Sequence, residues 1–299
     1  MNTKVMRGMG FGLLILMLPA GCASAGGTAP PETAQRDIVY KTMGGTELKL
    51  DAYLPSGPGL HPAVVLIHGG SFRRGDKGSY GGWGRGYAAQ GIAAFSINYR
   101  LSGQATYPAA VEDCLSAIRW VRSHAAEYHV DPDRIGVEGG SAGGHLTLLV
   151  AMMEPKASDK DAQGRPLRNL VRCAISHYGS CDFTDLGSYD VSGAMKASVP
   201  LFMGGKYEDM PDKYREASSI TYVSADDPPV LLLHGTADTQ VSYKQSVMMK
   251  DALEKVGVPV ELDLIEGAGH GWMTGTTAEQ RRGIRRRADA FMIKHLTAK

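Results

Sequence analysis

The stretch Arg134-Ile135-Gly136-Val137-Glu138-Gly139-Gly140-Ser141-Ala142-Gly143-Gly144-His145-Leu146 decides the fold. Its first five residues read as a strand, and the apolar run HLTLLVAMM from His145 to Met153 reads as a helix. Between them Gly139-x-Ser141-x-Gly143 puts a serine on a tight strand-to-helix turn at the end of a sheet. Side chains at the flanking glycines would collide with the neighbouring strand and helix, and the helix N-terminus favours negative charge developing above it. Ser141 is therefore the candidate nucleophile.

On either side of this turn, short apolar runs alternate with helical patterns, the mark of an α/β fold with a mostly parallel central sheet and helices on both faces. About eight strands are expected, at Asp37–Lys41, Leu48–Leu54, Ala63–His68, Ala93–Tyr99, Arg134–Glu138, Cys173–His177, Val230–His234 and Glu261–Ile265, the first two as an antiparallel pair. A helix is predicted over Pro108–Tyr128, where Val111, Leu115, Ile118, Val121 and Ala125 recur at three- and four-residue steps behind a favourable first proline. A second follows Ser141 to Met153. A third covers roughly 278–296, with Ile284, Ala288, Phe291 and Met292 on one side and Arg281, Arg282, Arg285 and Arg286 on a solvated face.

A serine nucleophile needs donors for an oxyanion and a base with its orienting acid. His68-Gly69-Gly70-Ser71-Phe72 follows the apolar strand AVVLI, so the amides of Gly70 and Ser71 can join that of Ala142 in an oxyanion hole. The expected chain order of serine, acid, histidine is met by Asp238 in HGTAD and His270 in GAGHG, each just beyond a late strand. His270 would take the serine proton and Asp238 would hold its tautomer. Asp226 and Asp227 are rival acids, but they precede Pro228-Pro229 at the wrong end of their strand and read as turn residues. Among the other histidines, His145 and His177 are placed to line the pocket or pack beside it, while His68 and His234 read as fixing loop backbones. Candidate substrate contacts are His145, Tyr178 and Trp272, with Tyr189 a further aromatic.

The 299 residues fit one catalytic domain, 36–299, with a cap-like insertion at about 182–226 where periodicity fades. Met195, Leu201, Phe202 and Met203 are candidates for the apolar underside of that cap. With 32 basic against 31 acidic residues the chain has no field for steering a polyanion, which argues against a nucleic-acid partner. No nucleotide fingerprint and no HExxH or CxxC spacing occurs, so neither cofactor nor metal is implied. Lys4 and Arg7 precede an apolar run, Phe11 to Leu18, that matches a secretory signal core. Residues 1–22 thus read as a signal peptide ending in the lipobox-like Leu18-Pro19-Ala20-Gly21-Cys22, with cleavage after Ala23-Ser24-Ala25 as the alternative, and 23–35 as a flexible tether. Export to the periplasm, the outer membrane or the medium is expected, with membrane attachment through a lipid on Cys22 if the lipobox is used. Export also permits a Cys173–Cys181 disulfide, left open because the α-carbons must come within about 7 Å.

HGGSF, NYRLS at Asn98–Ser102, DPDRIGVEGGSAGGHL, HGTAD and GAGHGW together resemble the bacterial esterases related to hormone-sensitive lipase, especially the branch named for feruloyl and acetyl-xylan esterases. The resemblance covers roughly 38–296. It implies an α/β-hydrolase fold and a serine carboxylesterase acting on small or carbohydrate-linked esters, acetyl and feruloyl esters of plant polysaccharide among them. Arylformamidase relatives share the branch, so an amidase is an alternative. Ser71 stands where the lipase pattern has a third glycine, and Gly140 where it has an acidic residue; GGSAGG is closer to the feruloyl-esterase branch. A serine peptidase of the prolyl-oligopeptidase type shares the chain order but usually carries a propeller domain, and a silent binding module should have lost a member of the triad.

If the lipobox is used, Cys22→Ser moves the protein from the membrane fraction to the soluble fraction, because stable anchoring needs more than one acyl chain. Fractionation of wild type and variant checks this; a wild type that is already soluble supports cleavage near Ala25.

Overall fold

The computed structural model describes residues 33–153, 160, 163–164, 166, 169–186 and 192–297. The expected signal segment, Cys22, most of the tether and Tyr189 lie outside them. Eight strands form one sheet: β1 (Thr33–Met43), β2 (Thr46–Leu54), β3 (His61–Ile67), β4 (Ala93–Ile97), β5 (Val130–Gly140), β6 (Cys173–His177), β7 (Val230–Gly235) and β8 (Val260–Ile265). Their order is β1-β2-β4-β3-β5-β6-β7-β8. β1 pairs antiparallel with β2, and β2 antiparallel with β4; every later pairing is parallel. The tether was expected to reach residue 35, but β1 begins at Thr33, whose partner is Leu54, so residues 33–35 are edge strand.

Central strands such as β3 and β7 are largely apolar because both their faces are covered. On one face lie α2 (Ala109–Ser123), α3 (Ala142–Met152) and α6 (Lys244–Lys255), burying Val111, Ile118, Leu146, Leu149, Met249 and Leu253. On the other lie α1 (Gly81–Ala88) and α7 (Ala278–Thr297), burying Tyr87, Ile284, Ala288, Phe291 and Met292. Between β6 and β7 come α4 (Ala194–Met203) and α5 (Pro211–Glu216), in the segment expected as a cap. No helix among the described residues is long and apolar enough to cross a membrane.

Two expectations need correction, and the disulfide left open does not form. α2 stops at Ser123, short of Tyr128, because the His124 ring sits 2.9 Å from the Trp120 carbonyl and the following turns, with His129 at φ 52°, swing the chain into β5. Arg285 is not on a solvated face: it pairs with Asp289 at 2.6 Å and stacks over Trp83 and Tyr87 of α1, 4.2 and 4.6 Å from the ring centroids. Arg282 and Arg286, in contrast, are exposed and share Glu279. Cys173 and Cys181 are free thiols on opposite faces of the sheet, the first against Met292 Sδ and the second donating to the Gln245 carbonyl.

The sheet's central feature is where β5 turns into α3. A Cβ on Gly139 would lie 2.5 Å from Gly143 O and 2.7 Å from Ile67 O, and one on Gly143 would lie 2.1 Å from Ile67 O. These neighbours are backbone, which cannot rotate aside, so α3 is seated directly on the end of β3 only because both positions are glycine. Gly143→Ala should destabilise the protein by about 1–3 kcal/mol, the range for overpacking a well-filled interior. Urea denaturation measures it, and a change below about 0.5 kcal/mol would contradict this packing.

Candidate active site

Ser141 sits between β5 and α3 at φ 57°, ψ −121°, a strained conformation for a residue with a side chain. Its amide donates to the His177 carbonyl at 2.9 Å, tying the turn to the end of β6. Asp238 follows β7 and His270 follows β8, on loops at the same end of the sheet. His270 Nδ1 lies 2.6 Å from Asp238 Oδ2, and a carboxylate can only accept, so Nδ1 carries the proton. Nε2 is then a lone pair, and Ser141 Oγ donates to it at 2.8 Å.

The Asp238 carboxylate is buried, and its other oxygen accepts from the amides of Gln240 at 2.8 Å and Val241 at 3.0 Å. Burial pushes its pKa up, but the N–H groups of His234 and His270 and the Val241 amide more than offset this and hold it well below the usual carboxylate range. His234 is itself fixed, with Nδ1 on Ser246 Oγ at 2.7 Å and Nε2 2.9 Å from Val241 O, closer than its 3.4 Å to Asp238 Oδ2. Asp226 and Asp227 stay at the far end of β7, where Asp227 caps the Ser224 amide.

Gly70, Ser71 and Phe72 have φ of 120°, 55° and 59°, so the loop after β3 is strained at two successive residues that carry side chains. The NYRLS segment holds it there. Ser102 donates from both N and Oγ to Phe72 O, while Tyr99 stacks on His68 at 4.3 Å and donates to His68 O. Arg73 and Arg74 donate to Gly70 O. Among the described residues, the amides of Gly70 and Ser71 meet no acceptor. That of Ala142, the first residue of α3, is one of the helix's free donors.

Two spaces meet at Ser141. One, narrow, is walled by Phe72, Phe183, Met195, Val199 and Val241, with His145 and Ser180 among its lining. The other, wider, runs past Gly70, Arg74, Tyr80, Trp83, Tyr178 and Met273. Ser71, Gln240 and His270 border both. α4 therefore supplies a wall of the narrow space through Met195 and Val199. Its Phe202 is a layer behind, stacked on Phe72 at 4.0 Å, and Leu201, expected on the underside, is 49% exposed instead.

The three expected substrate contacts separate. His145 borders the narrow space and donates from Nδ1 to Ser180 O at 3.0 Å; burial pulls its pKa down to about 4, so it is neutral near neutral pH. Tyr178 borders the wide space and stands edge-on to His270, with ring centroids 4.8 Å apart. Trp272 borders neither: it is buried behind Tyr178 at 5.0 Å, and its neighbour Met273, 82% exposed, occupies the rim. The residue that sequence reasoning missed is Glu138, fully buried beneath the turn. Its carboxylate meets His177 Nε2 at 2.7 Å and accepts from the Tyr87 hydroxyl. A lone acid inside the apolar strand RIGVE, three residues before the serine, was the signal. Among the described residues no three His, Cys, Asp or Glu cluster to hold a metal ion.

An eight-stranded sheet in this order, with a serine on the β5–α3 turn and an acid and histidine after β7 and β8, defines the α/β-hydrolase class. The chain belongs to the BD-FAE family, whose model matches residues 50–253. Two similar Mycobacterium tuberculosis proteins are the probable carboxylic ester hydrolase LipM, 33% identical over 66% of this chain and 46% of LipM, and the esterase LipQ, 34% identical over 64% and 45%. The chain thus spans about half the length of these curated relatives. Among solved structures it is similar to a truncated carbohydrate esterase from gut microbiota, with TM-score 0.70, 26% identity and coverage of 89% and 97% of the two chains. It is also similar to propionate-bound esterase 2 of Thermogutta terrifontis, with TM-score 0.71, 27% identity and coverage of 89% and 95%.

The lowered pKa of Asp238 fixes the sign of a pH effect. A carboxylate whose folded pKa lies below its unfolded value of about 3.9 contributes stability above that value and loses it as pH falls toward the folded pKa. The stability difference between wild type and Asp238→Asn, from urea titrations, should therefore shift against wild type as pH drops from 5 to below about 3. A difference that stays constant would mean that the carboxylate is not held in its charged form.

Proposed function

We propose that this protein is a serine carboxylesterase working through an acyl-enzyme, with Ser141 as nucleophile, His270 as base and Asp238 as the acid that orients it. The observation that carries the reading is the continuous hydrogen-bonded chain from Ser141 Oγ through the His270 ring to Asp238, at 2.8 and 2.6 Å, on the nucleophile turn. As Oγ attacks the ester carbonyl carbon its proton passes to His270 Nε2, and the carbonyl π pair moves onto oxygen. The amides of Gly70, Ser71 and Ala142 are the donors for that oxyanion. Collapse expels the alcohol, which leaves with the proton from His270. Water then repeats the sequence on the acyl-Ser141 ester, releasing the acid and the free enzyme.

The curated relatives and the structural neighbours are named as ester hydrolases, which supports the same reaction class here. A wide space beside a narrow one suits a small acyl group on a bulky alcohol, and the carbohydrate-esterase neighbour favours a sugar-linked acetyl ester as that substrate; a feruloyl ester would have to lay its bulky acyl group in the wide space. We further propose export through residues 1–22 to the periplasm, the outer membrane or the medium, with Cys22 as the lipid acceptor.

Ser141→Ala and His270→Ala should each reduce ester turnover by several orders of magnitude, and the double variant should lose little more, because the groups act as a unit. Asp238→Asn should cost less than either. The check is kcat/KM on nitrophenyl acetate, methyl ferulate, acetylated xylan and a prolyl anilide; near-normal turnover by a folded Ser141→Ala, or anilide turnover far above ester turnover, rejects the proposal.

A separate test addresses the oxyanion donors. Ser71→Gly keeps the amide and suits φ 55°, so most turnover should remain, whereas Ser71→Pro removes the donor and should lose a hundredfold or more. A hundredfold loss in folded Ser71→Gly would assign the role to the hydroxyl instead.

A further inference from the structure

His145 is 1% exposed and packed among aromatic rings. Phe183 stacks on its ring at 4.1 Å, Phe72 and Phe202 stand edge-on at 5.6 and 6.2 Å, and Nδ1 faces the Ser180 carbonyl at 3.0 Å. A carbonyl only accepts, so Nδ1 holds the proton and Nε2 presents a lone pair. Among the described residues, that Nε2 has no hydrogen-bond partner, although buried polar atoms are nearly always paired. The residue borders the narrow space beside Ser141, one helical turn along α3.

The other polar groups on that side do not supply the missing donor. Ser198 Oγ–H is spent on the Ala194 carbonyl at 2.8 Å, and Ser180 Oγ–H points to Met195 Sδ at 3.7 Å. The apolar part of the wall is Phe72, Phe183, Met195, Val199 and Val241, and Ser71 and Gln240 border the space where it meets the wide one. Away from that shared border the space offers a ligand an apolar wall and, at His145, an unpaired acceptor.

We propose that His145 selects the acyl group: the narrow space takes short acyl chains that carry a hydroxyl, which donates its proton to His145 Nε2. This rests on the esterase reading, in which the narrow space holds the acyl group while the alcohol departs through the wide one. A site built around such a bond discriminates strongly against an analogue lacking the donor, because the acceptor is then buried unpaired. An aliphatic acyl group still enters but leaves Nε2 unsatisfied.

The test compares kcat/KM for the 4-nitrophenyl esters of 3-hydroxybutyrate, 3-methoxybutyrate and butyrate. The methoxy ester matches the electronic effect of the hydroxyl on the carbonyl but lacks the donor and adds a methyl group, and butyrate, with neither, controls for that bulk. Wild type should prefer the hydroxy ester over both others by at least about tenfold, roughly 1.4 kcal/mol. In His145→Leu that ratio should collapse, with butyrate becoming the best of the three. Equal rates on the hydroxy and methoxy esters in wild type overturn the inference without any variant, and so does a preference that survives in His145→Leu. Good turnover of butyrate with no hydroxyl preference removes the selection but leaves the esterase reading intact. Absence of turnover on all three esters removes both.

Discussion

The rest of the site depends on one close backbone approach, that of the turn around Ser141 to the end of β3. With Gly139 and Gly143 both lacking a Cβ, the carbonyls of Ile67 and His68 can lie directly against the β5–α3 turn. That contact fixes the serine in its strained conformation and, through the chain that leaves β3, puts the Gly70-Ser71-Phe72 loop beside it. The parallel pairing of β3 with β5 therefore brings the nucleophile and its oxyanion donors together without any side chain between them. Parallel pairing of β5, β6, β7 and β8 in turn leaves the loops carrying Asp238 and His270 at the same end.

Strain at this end is held by polar contacts that have no other evident purpose. Ser141 at φ 57° is anchored through its amide to His177, and His177 is itself fixed by the buried Glu138. Phe72 at φ 59° is anchored by two bonds from Ser102. Removing one partner of a buried hydrogen-bonded group leaves the others unsatisfied, so Glu138, His177 and Tyr87 depend on one another. They also bind α1 to the sheet, since Tyr87 is in turn covered by Arg285 from α7.

Much of this was legible in the sequence, for a physical reason. Central strands such as Ala63–Ile67 and Val230–Leu233 are apolar on both faces, and the turn glycines at 139 and 143 are demanded by backbone contact, so both leave a strong local trace. The edges leave little. Thr33-Ala34-Gln35 has no apolar alternation and joins the sheet only by pairing with Ala52–Leu54. Arg285 follows the helical spacing of its exposed neighbours, and only the rings of Trp83 and Tyr87, some two hundred positions earlier, draw it inward. The separation of Cys173 from Cys181 by the thickness of the sheet likewise arises from topology rather than local pattern. Of the substrate contacts, His145 and Tyr178 could be placed at the pocket by their nearness to the turn and to a strand end. Trp272 could not be told from Met273, because Gly271 at φ 72° rotates the chain between His270 and the rim.

Buried charges away from the site are gathered into pairs: Asp113 takes Lys41 and Arg100, and Asp51 takes Arg36 and Lys77, although Arg122 Nε and Thr147 Oγ1 have no partner among the described residues. Around Ser141 the amides of Gly70 and Ser71 and the Nε2 of His145 also have no partner among the described residues. These are donors on the oxyanion side and an acceptor on the side of the narrow space. An unpaired donor and an unpaired acceptor cannot be relieved by the same rearrangement of the protein, but one molecule with a carbonyl oxygen and a hydroxyl hydrogen relieves both. Part of the fold's unmet hydrogen-bonding capacity thus lies where a bound substrate can meet it, which is the condition for binding energy to be directed at the reacting centre.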